Sequence, residues 1–293
     1  MTLTLDMIRA AKRAPKAVAD RAPRVAAFIK SKLNPDGGFA GRAADSDLYY
    51  TVFGLESLIA LNADFPRESV AKYLRTFRSG QALDLVHLAS LIRCWSSLSP
   101  PELRSMRSQL VTHLQTFSSE DGGFNISPDS ANGTVYACFL ALAAYQDLQI
   151  AIPDPGAVIA SIESLKTPKA SYSNDRNIPA GAVPATAAAL VTLHYLDAPI
   201  DNSSADWLLS CHSDDGGFTV VPYVPIPDLL STATALHALA TIGVNLTHIK
   251  PRCIDFLNTI WNPAGAFCAS RLDKHLDCEY TYYGLLALGH LTD

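Results

Sequence analysis

Ala264-Gly265-Ala266-Phe267, followed by Arg271, Lys274, Asp277, Cys278, Glu279, Tyr280 and Thr281, is the stretch from which the rest of the chain can be read. A small-residue turn carrying a Phe leads through a short loop to an acidic residue, and an apolar helix follows at 282–291. An aspartate at a helix start accepts bonds from backbone N–H groups that lack helical partners. It also faces the positive end of the helix dipole. Arg271 and Lys274 come just before, and two cations beside a helix N-terminus suit an anion such as a phosphate. From spacing alone, a capped helix with two solvated cations on its loop is the more common reading.

The stretch is the last copy of a repeat. Asp36-Gly-Gly-Phe39, Asp121-Gly-Gly-Phe124 and Asp215-Gly-Gly-Phe218 are earlier copies. Each follows a helix-like segment and precedes an acidic residue and a second helix. Those pairs are Asp47 before 49–61, Asp129 before 134–145, Asp228 before 232–242 and Asp277 before the last helix. The glycines supply the left-handed backbone that ends a helix, and the Phe folds back on the turn. Two further helix pairs, 67–77 with 83–98 and 155–165 with 185–196, lack the turn motif. The second pair spans a long loop at 167–184. The count is six hairpins of about 47 residues each, a helical-repeat length. In every pair the second helix is the more apolar, and a helix apolar all round must be buried. Apolar helices inside and amphipathic ones outside give an all-α fold, an α6/α6 barrel or toroid with a central cavity. An open solenoid would need polar caps at its ends; the last helix has none, so the first and last hairpins are expected to touch.

The 293 residues are 48% hydrophobic and 17% charged, with a formal net charge of −5. That balance gives no electrostatic reason to expect nucleic acid. No apolar run reaches the roughly 18 residues of a membrane span. Residues 1–13 mix charges with apolar positions and read as a short amphipathic packing helix, not a secretory signal. The expected division is a helical extension at 1–20 and a single barrel at 21–293. The cysteines at 94, 138, 211, 253, 268 and 278 form no CxxC and no disulfide framework, so a reducing cytoplasm is the expected location. Val220-Val-Pro-Tyr-Val-Pro-Ile-Pro227 is extended but too rich in proline for a ladder strand, and reads as a rim loop.

The turn, acidic cap and apolar helix, repeated round six hairpins, resemble the prenyltransferase and squalene-cyclase repeat superfamily. The likeness covers nearly the whole chain, and chain length is similar to the β subunits of protein prenyltransferases. It implies a cavity for an isoprenoid or isoprenoid diphosphate, and those β subunits work with a helical partner subunit. The last repeat, Arg271-x-x-Lys274-x-x-Asp277-x-Glu279-Tyr280-Thr281, is similar to the family's catalytic stretch. By that likeness Arg271, Lys274 and Tyr280 hold the diphosphate, and Asp277 is a zinc ligand. Closure of the ring adds Arg42, Asp47 and Tyr49 of the first hairpin as candidate substrate contacts. The zinc set departs from the pattern. Glu279 stands where the family has Cys, Cys278 is one residue early, and one helical residue is about a hundred degrees of rotation. Asp277, Cys278 and His275 are the candidate metal residues that remain.

Asp277-Cys278-Glu279-Tyr280-Thr281 is also similar to the D-x-D-D-T motif of class II terpene cyclases, which protonates an alkene. Glu279 and Asp277 are the candidate catalytic acids, because a carboxyl in an apolar cavity has its pKa raised and can stay protonated. Tyr49, Tyr50, Tyr136, Tyr280, Tyr282 and Tyr283 could stabilise a carbocation or simply pack the core. Three readings stand: an enzyme that transfers or cyclises an isoprenoid, a non-catalytic lipid-binding or interaction barrel, and an unrelated α/α barrel acting on carbohydrate.

Overall fold

The computed structural model describes residues 2–17 and 20–292. Two short helices, α1 (Leu3–Ala11) and α2 (Ala14–Ala17), precede six hairpins. These are α3 (Ala22–Ser31) with α4 (Leu48–Ala60), α5 (Arg67–Arg75) with α6 (Leu85–Leu98), and α7 (Pro100–Gln115) with α8 (Val135–Asp147). The series continues with α9 (Pro155–Glu163) and α10 (Val183–Tyr195), α11 (Asn202–Ser210) and α12 (Leu229–Thr241), and α13 (Lys250–Thr259) and α14 (Cys278–Leu291). The second helices form the inner ring, each packed on the next, and α14 packs on α4. The barrel is therefore closed, as the repeat count and the apolar end helix predict. Helix α5 shows why the first helices stay outside: Val70, Ala71, Tyr73 and Leu74 are buried while Arg67, Glu68, Lys72 and Arg75 face solvent. Helix α4 has no such face, and even its Glu56 and Ser57 are buried.

Each turn is clamped to the inner helix that follows it. The cap lends its carbonyl to a buried threonine four residues on: Thr51 to Asp47 at 2.6 Å, Thr232 to Asp228 and Thr281 to Asp277 at 2.7 Å. In two of these hairpins the threonine oxygen also receives the N–H of the turn aromatic, from Phe39 at 3.0 Å and Phe218 at 2.9 Å. At Phe39 and Phe267 the ring packs closely on a glycine of the helix. A Cβ on Gly54 would sit 2.3 Å from the Phe39 ring, and one on Gly284 2.3 Å from the Phe267 ring. The first glycine of the turn has positive φ, +98° at Gly37 and +91° at Gly216, and abuts the next outer helix. Gly265 abuts Arg24 of α3 in the same way, which carries the last turn round to the first hairpin.

Two expectations need correction. Asp129 does not cap α8; it lies in the loop at φ +55°, and Thr134 is the cap, its Oγ1 accepting from Ala137 N at 3.2 Å. The spacing is the reason. Phe218 and Phe267 lie ten residues before their caps, as Phe124 does before Thr134, and Asp129 comes too soon. The fourth hairpin also does not lack the turn. Ala170 stands at φ +62° where the others have glycine, and Tyr172 N donates to Thr186 Oγ1 at 2.9 Å.

Helix α1 lies across the C-terminal ends of the inner helices, packed on α14, α4 and α8. Leu3 N donates to Gln146 Oε1 at 2.8 Å, Thr4 Oγ1 donates to Asp147 Oδ2 at 2.9 Å, and the Tyr195 hydroxyl donates to Asp6. The expected amphipathic helix is thus the floor of the barrel.

Candidate functional site

A cavity of about 430 Å3 runs down the barrel axis. Two residues into their helices, Tyr49, Val86, Tyr136, Pro184, Leu230 and Glu279 form its mouth. Phe53, Ala89, Phe139, Leu140, Ala188 and Tyr283 make the apolar and aromatic wall below. Arg93, Asp147, His237 and the Met7 side chain of α1 form the floor.

At the mouth, the Tyr49 hydroxyl donates to Glu279 Oε1 at 2.5 Å, linking the first inner helix to the last. Burial pushes the Glu279 carboxyl above the ordinary glutamate range, against the opposing pull of that hydrogen bond. Burial likewise drives the Tyr49 phenol far above its usual value, with Tyr283 and Glu279 adding to it. Asp277, with no side-chain exposure, spends Oδ1 on capping α14 through Tyr280 N at 2.8 Å. Its Oδ2 meets Arg42 Nε at 3.4 Å. The half-exposed Arg42 also reaches Asp273 at 3.5 Å and stacks over the Tyr280 ring at 5.8 Å. Asp47 Oδ1 caps α4 through Tyr49 N at 2.7 Å, and its Oδ2 lies 3.5 Å from His87 Nε2.

The structure therefore brings Arg42, Asp277, Glu279, Tyr280, Asp47 and Tyr49 to one rim, but only Glu279 and Tyr49 of these line the cavity. Arg271 turns to the outer side, pairing with Asp215 at 3.2 Å and donating to Thr259 at 3.2 Å. Lys274 is exposed on the loop before α14 and is not in the cavity wall. Of the six tyrosines, Tyr49, Tyr136 and Tyr283 line the cavity.

The candidate metal residues do not converge. His275 is largely exposed and bound to Asp273 at 2.8 Å, and Asp277 is committed to its cap and to Arg42. Cys278 is fully buried outside the cavity wall, and burial pushes its thiol up to about 12. Among the described residues no three His, Cys, Asp or Glu side chains are placed to share an ion. The set does not fit the zinc site that the resemblance implies.

Sequence reasoning did not assemble the polar floor, and Glu56, Arg93 and Asp147 went unremarked. Glu56, 1% exposed, holds Arg93 by two bonds of 2.6 Å, an ion pair joining α4 to α6. Asp147 is pushed up to about 7 by burial, and His237 is lowered to about 4 by the same cause. His237 Nδ1 lies 3.0 Å from His290 Nε2. The available signal was a lone charge in an otherwise apolar helix, as at Glu56 and Arg93.

The prenyltransferase alpha-alpha toroid domain family matches residues 2–93, 91–198 and 185–293. No curated protein sequence matches the chain. Among solved structures, the protein geranylgeranyltransferase-I of Candida albicans, complexed with GGPP, superposes with a TM-score of 0.72 at 17% identity, over 92% of this chain and 90% of that one. A variant of the type II terpene cyclase MstE from Scytonema, in complex with geranylgeranyl dihydroxybenzoate, gives 0.61 at 13%, over 96% and 97%. A polysaccharide lyase gives 0.64 at 12%, over 94% and 96%. At these identities the superpositions speak to the fold. No helix among the described residues is long and apolar enough to cross a membrane. With matches that run from residue 2 to residue 293, the chain belongs to the prenyltransferase alpha-alpha toroid family.

Proposed function

We propose that the chain binds an isoprenoid in its central cavity and that Glu279 is the proton donor that starts its cyclisation. One observation carries the reading: a floored, apolar and aromatic cavity with one carboxyl, that of the partly buried Glu279, in the wall of its mouth. An apolar chain gains about 25 cal/mol for each Å2 it removes from water. A carbohydrate would leave its hydroxyls unmatched against Val52, Phe53, Phe139 and Leu140. The geranylgeranyl ligands named with the two isoprenoid-handling neighbours support the same occupant.

The rim favours a head of low charge. Arg42 is already shared between Asp273 and Asp277, and Asp47 and Asp84 stand nearby. A diphosphate would meet a cation already matched by carboxylates there, since Arg271 pairs with Asp215 and Lys274 lies off the cavity wall. The step is a proton transfer from Glu279 to an alkene carbon. The O–H bond breaks, the alkene pair forms the new C–H bond, and the neighbouring carbon becomes cationic. A second alkene then closes a ring onto it, and a C–H bond next to the final cation breaks to give an alkene, its proton returning through water at the mouth to the Glu279 carboxylate. The faces of Tyr49, Phe53, Tyr136 and Tyr283 would stabilise the passing cation.

Incubation with geranylgeraniol, followed by mass-spectrometric product analysis, tests the proposal. Wild type should give a cyclised isomer, and Glu279→Gln should bind the alcohol within about threefold yet give none. Equal turnover by Glu279→Gln, or no binding by wild type, would overturn it.

A further inference from the structure

The floor of the cavity is built for hydrogen bonding, which a hydrocarbon tail does not need. Asp147 is 7% exposed and His237 5%, and both line the cavity. Asp147 Oδ1 and His237 Nε2 are buried without a partner. Their other polar atoms are already committed, Asp147 Oδ2 to Thr4 of α1 and His237 Nδ1 to His290. A buried polar atom left unmatched costs about 1–3 kcal/mol, so two at one end of an apolar cavity are a reason to look for a ligand.

We propose that this floor receives a hydroxyl at the far end of the bound chain, making the ligand an isoprenoid that is polar at both ends. The inference rests on the reading that an isoprenoid fills the cavity. A hydroxyl is the group that suits either atom, because it can donate or accept. In the contact between two neutral imidazoles one nitrogen carries the proton. His237 Nε2 is therefore an acceptor if its own Nδ1 donates, and a donor if His290 does. Asp147 accepts when ionised and donates when neutral, and burial places it near that balance. The Glu56–Arg93 pair fixes the adjoining wall, and Thr4 fixes the Asp147 rotamer, so the site is held in place before a ligand arrives. Depth sets the length. Glu279 lies two residues past its cap, His237 nine and Asp147 thirteen. At 1.5 Å per residue the floor is roughly 10–16 Å below the mouth.

Calorimetry with all-trans isoprenoid alcohols of ten, fifteen and twenty carbons, each with and without a terminal hydroxyl at the far end, tests this. At the length that reaches the floor, the added hydroxyl should tighten binding to wild type about tenfold. Asp147→Leu and His237→Phe should each reduce that preference severalfold while still binding the plain alcohol, and Asp147→Asn should retain part of it. A site with no partner for the hydroxyl would show the opposite sign, since its desolvation is then uncompensated. If plain alcohols bind but the added hydroxyl gives no gain at any length in wild type, the floor holds buried water only and the inference fails while the isoprenoid reading stands. If neither set binds, both fail.

Discussion

The two ends of the cavity are made differently. The mouth is assembled from helix caps and a loop: Asp47 and Asp277 satisfy backbone N–H groups, and half-exposed Arg42 bridges Asp273 and Asp277. The floor is assembled from side chains in the middle and last turns of inner helices, with the buried Glu56–Arg93 pair and the His237–His290 contact. The mouth can exchange partners with solvent and with a ligand head. The floor is less able to, since removing one partner of a buried pair there leaves the other buried alone. Chemistry that needs access belongs at the mouth, and chain-end discrimination at the floor.

The largest effect that bears on this contrast is at Glu56. Glu56→Ala should cost about 3–5 kcal/mol in urea denaturation, because the Arg93 charge is left buried alone. The double variant Glu56→Leu/Arg93→Leu should recover most of that. A small loss from Glu56→Ala would mean that the floor is as adaptable as the mouth.

The next effect is in pH. The folded-state pKa of Asp147 is raised to about 7 from the ordinary aspartate value near 4, so the folded state binds more protons between those values. Its contribution is full below about pH 4 and is lost as pH rises to 7, on the order of 4 kcal/mol. His237 has the opposite sense. Lowered to about 4 from about 6.5, it favours folding above pH 6.5 and loses that contribution as pH falls to 4. Urea midpoints from pH 4 to 7 should therefore rise with pH more steeply in Asp147→Asn than in wild type, and less steeply in His237→Phe. No change of slope in either would remove the titrating floor.

Smaller effects belong to the mouth. Asp277→Ala should cost about 1–2 kcal/mol through loss of the α14 cap. Arg42→Ala, at a half-exposed pair, should cost under about 1 kcal/mol. An Arg42 loss as large as that of Glu56 would erase the distinction between the ends.

The same contrast separates what was legible in the sequence from what was not. Ring closure and the caps Asp47, Asp228 and Asp277 were legible, since glycine-aromatic turns and helix periodicity are local signals. Thr134 was passed over for Asp129 because residue type outweighed spacing. The fourth turn was passed over because Ala170 and Tyr172 replace its glycine and phenylalanine while keeping its backbone. Arg271 and Lys274 looked equivalent to Arg42 in sequence, yet the loop before α14 directs Arg271 to Asp215 and leaves Lys274 off the cavity wall. Asp147 and His237 were illegible as a pair, because they come from different helices that only the closed ring brings to one cavity.

The measurement that bears most directly on the central claim is calorimetry of geranylgeraniol with wild type and with Ala188→Trp, which fills the middle of the cavity, folding of the variant being checked by circular dichroism. One equivalent should bind wild type, and the folded variant should lose binding at least tenfold. Undiminished binding by a folded Ala188→Trp would contradict an isoprenoid site inside the barrel.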